Sequence, residues 1–226
     1  MISRLAAQAW AFRARVEREA ASRFERLSRE ILAFDPQSPV PAMMRRAADD
    51  ERRHLVLCEE LAGAPVDGFP GDERIAPRSL PPREAALYET VAACCITETE
   101  SVATLTSLLA EEVDPGVEKV LRAIARDEVV HGRMGWAHLA RESAGYDVSF
   151  LSSWIPAMLS GSVEETLFSH LDATPEDPDL LRHGVLPPSQ KRAIFARTLE
   201  EVVVPGLEQF GIDGSPARAW LCARIR

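Results

Sequence analysis

Four long stretches of the chain carry apolar residues at helical spacing, and none alternates as a strand would. The first runs from about Ser3 to Phe34 and stops at Asp35-Pro36-Gln37-Ser38-Pro39. The second covers about Pro41 to Leu61, with Gly63 just past its end, where helix stops favour glycine. The third opens after Pro81-Pro82 and continues to about Glu112. Asp114-Pro115-Gly116 breaks it, and the fourth goes from about Val117 to Glu142. Alanine and leucine dominate these stretches, so the pattern predicts an all-α chain.

The connections predict how the helices pair. Links of about seven and about two to four residues force helices 1–2 and 3–4 into antiparallel hairpins. Between helices 2 and 3 lie some twenty Pro- and Gly-rich residues, GAPVDGFPGDERIAPRSLPP. At about 3.3 Å per residue that segment can cross the length of a helix of about 22 residues. The expectation is two hairpins joined by one long crossover, over residues 1–145. Residues 146–226 read as a helical extension packed on the bundle. Its expected helices are a short one capped by Ser162 and Glu165, a longer one from Ser189 closed at Pro205-Gly206, and a last one from Ser215-Pro216.

Composition narrows the function classes. The 226 residues carry a net charge of −9, which argues against binding nucleic acid through a broad basic surface. Four cysteines form neither a disulfide framework nor a CxxC pair, and no apolar run reaches the length of a membrane span. The expected setting is the reducing cytoplasm, in solution.

Two of the five histidines sit in one frame: Asp50-Glu51-Arg52-Arg53-His54 and Asp127-Glu128-Val129-Val130-His131. On composition alone such a repetition is roughly a 1-in-3,000 coincidence. Helical phasing turns Met43, Ala47, Glu51, His54, Cys58 and Leu61 to one face, and Val117, Leu121, Ile124, Glu128, His131, Gly135 and Leu139 to another. In helix 3, Glu98 lies at the centre of an apolar stripe of Leu87, Val91, Cys94, Val102, Leu105 and Leu109. Glu100 points away and reads as a solvent charge. Carboxylates are rarely buried unless paired or bound to a metal, and inward Lys or Arg look too few to pair these. Helix 1 should supply a fourth carboxylate. Glu17, beside Trp10, Ala14, Ala21 and Phe24, is the choice, with Glu19 in reserve.

One Glu from each of two helices and a Glu-x-x-His from each of the other two are the ingredients of a dinuclear iron or manganese site. The expected metal ligands are Glu17, Glu51, His54, Glu98, Glu128 and His131. Carboxylate and imidazole suit iron or manganese, whereas tetrahedral zinc would favour thiolates. His138 reads as a hydrogen-bonded core histidine, Tyr88 as packing and Cys58 as a small buried hydrophobe.

The chain resembles the ferritin-like di-iron carboxylate superfamily over residues 1–145. Glu17-x-x-Ala20-x-x-Arg23-Phe24 is similar to a run of the rubrerythrins. The paired DExxH frames look more like the oxygen-activating branch, meaning bacterial multicomponent monooxygenases and ribonucleotide reductase small subunits. That resemblance implies that Asp50 and Asp127 orient His131 and His54. It implies a di-iron or Mn/Fe oxidoreductase that uses dioxygen on a small organic substrate, with an external electron donor and no partner nucleic acid or membrane. A homodimer fits that picture. The alternatives are an iron-handling ferroxidase and a rubrerythrin-like peroxide reductase, the latter weakened because the chain has no paired CxxC motifs.

Overall fold

A computed structural model describes residues 3–67, 74–162, 167–168 and 178–225, and all its regular elements are helical. Helix α1 is Arg4–Phe34, with the Ser3 hydroxyl accepting from the Ala6 amide at its start. Helix α2 is Val40–Ala62, ended by Gly63 at φ 79°, the left-handed geometry that glycine adopts without strain. Helix α3 occupies residues 82–108 and is not uniform: α-helical Pro82–Thr90 and Glu98–Leu108 flank a π-helical stretch, Val91–Thr97. Helix α4 is Pro115–Ser143, capped by the Asp114 carboxylate on the Gly116 amide.

Cross-helix pairs fix the directions. Arg18–Glu59 and Arg52–Glu25 run α1 against α2. Arg83–Glu142 and Ser101–Glu128 run α3 against α4. Asp50–His131 and His54–Asp127 run α2 against α4, and Arg26–Glu89 and Arg13–Ser101 run α1 against α3. Helices α2 and α3 are therefore parallel, and the chain between them has to travel the length of the bundle. Carboxylates fasten that crossover at its two ends. Glu59 accepts from the Val66 amide at 2.9 Å, and fully buried Glu89 accepts from the Ala76 amide at 3.4 Å.

Beyond α4 come a 3₁₀ turn (Ser149–Trp154), α5 (Ile155–Ser162), α6 (Pro178–Arg182), α7 (residues 188–208) and α8 (Ser215–Cys222). These elements share a core with α3: Tyr88, Val91, Cys95 and Ile96 pack with Leu151, Ile155, Phe195, Val204 and Trp220. That cover explains why residues 85–96 are buried on every side. Tyr88 is a packing residue, edge-on to Trp154 at 6.3 Å.

Several expectations fail in this region. The N-cap of α7 is Pro187 and not Ser189, and a proline at the first helical position opens the helix. Nor does Pro205-Gly206 close α7, which runs on to Glu208 through a π-helical stretch, Leu199–Val203, that absorbs the proline. Helix α5 has no counterpart in the sequence reading. Glu165, His170 and the side chain of Ser162 lie outside the described residues.

Helices α3 and α4 approach closely at Gly135, where an added Cβ would lie 2.3 Å from the Cys94 Cβ and 3.2 Å from backbone atoms of Cys94 and Cys95. Gly135→Ala is expected to destabilise the fold by about 1–3 kcal/mol, despite alanine's better helix propensity. Thermal unfolding of the two proteins checks this; an unchanged or raised midpoint would contradict the close approach.

Candidate metal centre

The four helices bring Glu17, Glu51, His54, Glu98, Glu128 and His131 into one buried cluster, each 6% exposed or less. Their side-chain donor atoms form two overlapping groups. One is Glu17, Glu51, His54 and Glu128; the other is Glu51, Glu98, Glu128 and His131; within each, the atoms lie within 4.8 Å of one another. Glu51 and Glu128 belong to both. Glu19, the reserve on α1, belongs to neither.

Glu51 faces both imidazoles: its Oε1 is 3.0 Å from His131 Nδ1 and its Oε2 is 3.0 Å from His54 Nδ1. Glu128 Oε2 is 3.1 Å from His131 Nδ1, and Glu17 Oε2 is 3.8 Å from His54 Nδ1. The opposite ring nitrogens face the neighbouring helix. His54 Nε2 lies 3.3 Å from Asp127 Oδ2, and His131 Nε2 lies 3.3 Å from Asp50 Oδ2. An Nε2–H donated to each aspartate orients the ring and leaves Nδ1 directed at the glutamates. Phe24 braces the His131 ring edge-on at 5.8 Å.

The π-helical stretch matters here. Thr97 Oγ1 donates to the Ala92 carbonyl, and the Glu98 amide reaches back to Ala93. The longer turn resets the phase of α3 just before Glu98, as such turns often do beside functional sites. Phasing at 100° per residue therefore fails past this point. Leu108 is buried in place of Leu109, Val102 is half-buried, and Ser101 reaches the cluster by donating to Glu128 Oε1 at 3.3 Å. Glu100 is corrected for the same reason: it is half-buried rather than a solvent charge. Burial pushes its carboxyl up, opposed by the Thr104 hydroxyl at 2.7 Å and by Lys191. On α2 a smaller correction applies, since Met44 rather than Met43 is fully buried.

The sequence reading also missed inward arginine. Arg13 Nε donates to Glu17 Oε1 at 2.9 Å; its Nη2 donates to Ser101 Oγ at 3.2 Å and lies 3.6 Å from Glu128 Oε1. Its i,i+4 relation to Glu17 was the available signal, though that spacing ordinarily marks a surface pair. Arg53 stands outside the cluster, pairing with Asp50 and, at 3.5 Å, with Asp127, while Arg126 holds Asp127 from the other side at 3.0 Å.

The electrostatics follow from so many acids in one dry space. Burial and the charges of Glu128 and Glu17 raise Glu51 to about 8. Burial, then Glu128 and Glu51, raise Glu98 well above the carboxylate range. Burial would lower both histidines, but bonds to Glu17 and Glu51 raise His54 to about 10, and bonds to Glu128 and Glu51 raise His131 to about 12. Glu17 is lowered, because Arg13 outweighs its desolvation.

Apolar clusters flank the centre: Phe24, Met44, Cys94 and Met134 on one side, Cys58, Leu105, Leu121 and Ile124 on the other. A groove of about 410 Å³ between α2 and α4, lined by Arg53, His54, Leu57, Ala123, Arg126 and Asp127 among others, opens from solvent to the outer edge of His54. His138 is buried as expected but not hydrogen-bonded: among the described residues neither ring nitrogen has a partner, and burial lowers it to about 4.

No protein family, curated protein or solved structure matches the chain. The geometry thus carries the reading alone: a helical protein with a buried Glu/His cluster able to hold a metal ion. No helix among the described residues is long and apolar enough to cross a membrane.

Proposed function

We propose that the chain is a ferritin-like dinuclear iron, or Mn/Fe, oxidoreductase that uses dioxygen to oxidise or hydroxylate a small organic substrate. The observation that carries this reading is the pair of donor groups sharing Glu51 and Glu128. The donor set fits the group. Glutamate oxygens and imidazole nitrogens suit iron and manganese, and four buried carboxylates facing one guanidinium call for further positive charge. Glu17 and His54 would complete one position, Glu98 and His131 the other, with Glu51 and Glu128 common to both. Iron bound there would supply electrons for dioxygen and Lewis acidity.

The chain's own residues would do the rest. Asp127 and Asp50 hold the two rings so that each Nδ1 points inward, where its lone pair would be available once its proton has left. The flanking apolar clusters keep water from the glutamates and strengthen every charge interaction among them. Protons leave before cations arrive, because Glu51 and both imidazoles are raised above neutral pH, and Glu98 is raised in the same direction. Raised values mean that lower pH favours the protonated cluster and opposes metal. Affinity for Mn(II) is therefore expected to rise about tenfold or more per pH unit between about pH 6 and 8, with protons released on binding. Titrations at three pH values check the slope, and a flat profile would contradict it.

The activity test is anaerobic Fe(II) loading followed by exposure to oxygen, watched by absorbance with and without candidate metabolites. Oxidation coupled one-to-one to an organic product supports the oxidoreductase. Repeated Fe(II) turnover with no effect of any organic compound would favour a ferroxidase.

A further inference from the structure

Arg13 breaks the symmetry of the centre. Its guanidinium sits at one end of the cluster, 2.9 Å from Glu17 and 3.6 Å from Glu128, and it is joined to Glu128 a second time through Ser101. The Glu17/His54 group therefore has part of its negative charge matched already, and a cation entering it has a fixed positive charge for a neighbour. The Glu98/His131 group has no counterpart: among the described residues no arginine or lysine forms an ion pair with Glu98. Its neighbours in the donor group are Glu51, Glu128 and His131.

Resting on the dinuclear reading above, we infer that Arg13 makes the two metal positions unequal, so that the Glu98/His131 position fills first and the Glu17/His54 position fills second and more weakly. Charge accounting leads the same way. One divalent ion together with Arg13 leaves the four glutamates one charge short of balance, and a second ion overshoots it by one. The first ion thus enters an acidic region, and the second enters one close to neutral, beside an arginine. In a space shielded from water such a difference is large. The arrangement also gives the chain a means of holding two different metals, one loaded tightly and one in exchange with its surroundings.

The test is an anaerobic titration of the full-length, chelator-treated protein with Mn(II) alone, read by calorimetry and by the electron paramagnetic resonance of bound and free ion. The wild type should bind in two steps whose affinities differ by at least about tenfold. Arg13→Gln should bring the steps to within about threefold of each other, and Arg13→Lys, which keeps the charge, should retain most of the gap. If Arg13→Gln misfolds, two ligand variants decide the order: Glu98→Gln should remove the tight step, and Glu17→Gln should remove only the weak one. Two equal steps in the wild type, or loss of the tight step in Glu17→Gln, would overturn the inference and leave the dinuclear reading standing. No Mn(II) binding at all would end both.

Discussion

Replacing Glu51 or Glu128 by Ala is expected to abolish binding of both ions, because each carboxylate serves both donor groups. Removing Asp127 as a hydrogen-bond acceptor, by Asp127→Asn, should be milder, a loss of roughly 10–100-fold, as is usual for groups that act through a ligand. A ligand variant should also differ from the wild type before any metal is added. A buried carboxylate that faces other carboxylates and pairs with no arginine or lysine is costly, so Glu98→Gln, which keeps the shape, should unfold at a higher temperature than the chelator-treated wild type. Gain in stability together with loss of metal is the pattern of a functional site, and it separates a missing ligand from a damaged fold. Metal analysis and thermal unfolding on the same samples provide the check. Normal metal content in Glu128→Ala would refute the shared role of this residue. Glu100→Ala serves as the control and should keep its metal, since Glu100 belongs to neither donor group.

The second large effect is stabilisation by the ions themselves. With free metal about 1,000-fold above the dissociation constant, each site contributes about 4 kcal/mol to the folded state. For a chain of this size that corresponds to a rise of about 8–16 °C in the unfolding midpoint per site. The expected result is a midpoint that climbs by more than about 10 °C when Mn(II) or Fe(II) is added to chelator-treated protein. Calorimetry at several metal concentrations measures it. A midpoint indifferent to metal would mean that protons and Arg13 alone balance the glutamates.

Much of the bundle was legible because its helices obey simple rules. Proline and glycine punctuate them, and the repeated Asp-Glu-x-x-His frame sits on the inward face of two of them. Glu51, His54, Glu128 and His131 could be phased from 100° per residue because α2 and α4 are regular throughout. Glu98 was found for a different reason: it follows Cys94 by one turn, and the π-helical stretch disturbs the positions after it more than Glu98 itself. The errors at Glu100, Val102 and Leu109 all lie past that stretch. No propensity rule announces a π-helical turn, which here forms where the extension buries α3 from outside.

Arg13 was missed on other grounds. An arginine four residues from a glutamate normally belongs to a solvated face, and only the approach of Ser101 and Glu128 from α3 and α4 makes it interior. Long-range contacts of this kind leave no periodic trace. His138 shows the converse: its heptad relation to His131 correctly marks it as buried, yet spacing says nothing about whether a partner waits there.

The central claim is that two divalent cations occupy the space among the four glutamates. Anomalous diffraction at the iron edge, from crystals of the iron-loaded protein, tests it most directly. Two peaks are expected, one bounded by Glu17 and His54, the other by Glu98 and His131, with Glu51 and Glu128 between them. A map with no peak inside the bundle, and the glutamates held only by the histidines and Arg13, would contradict it.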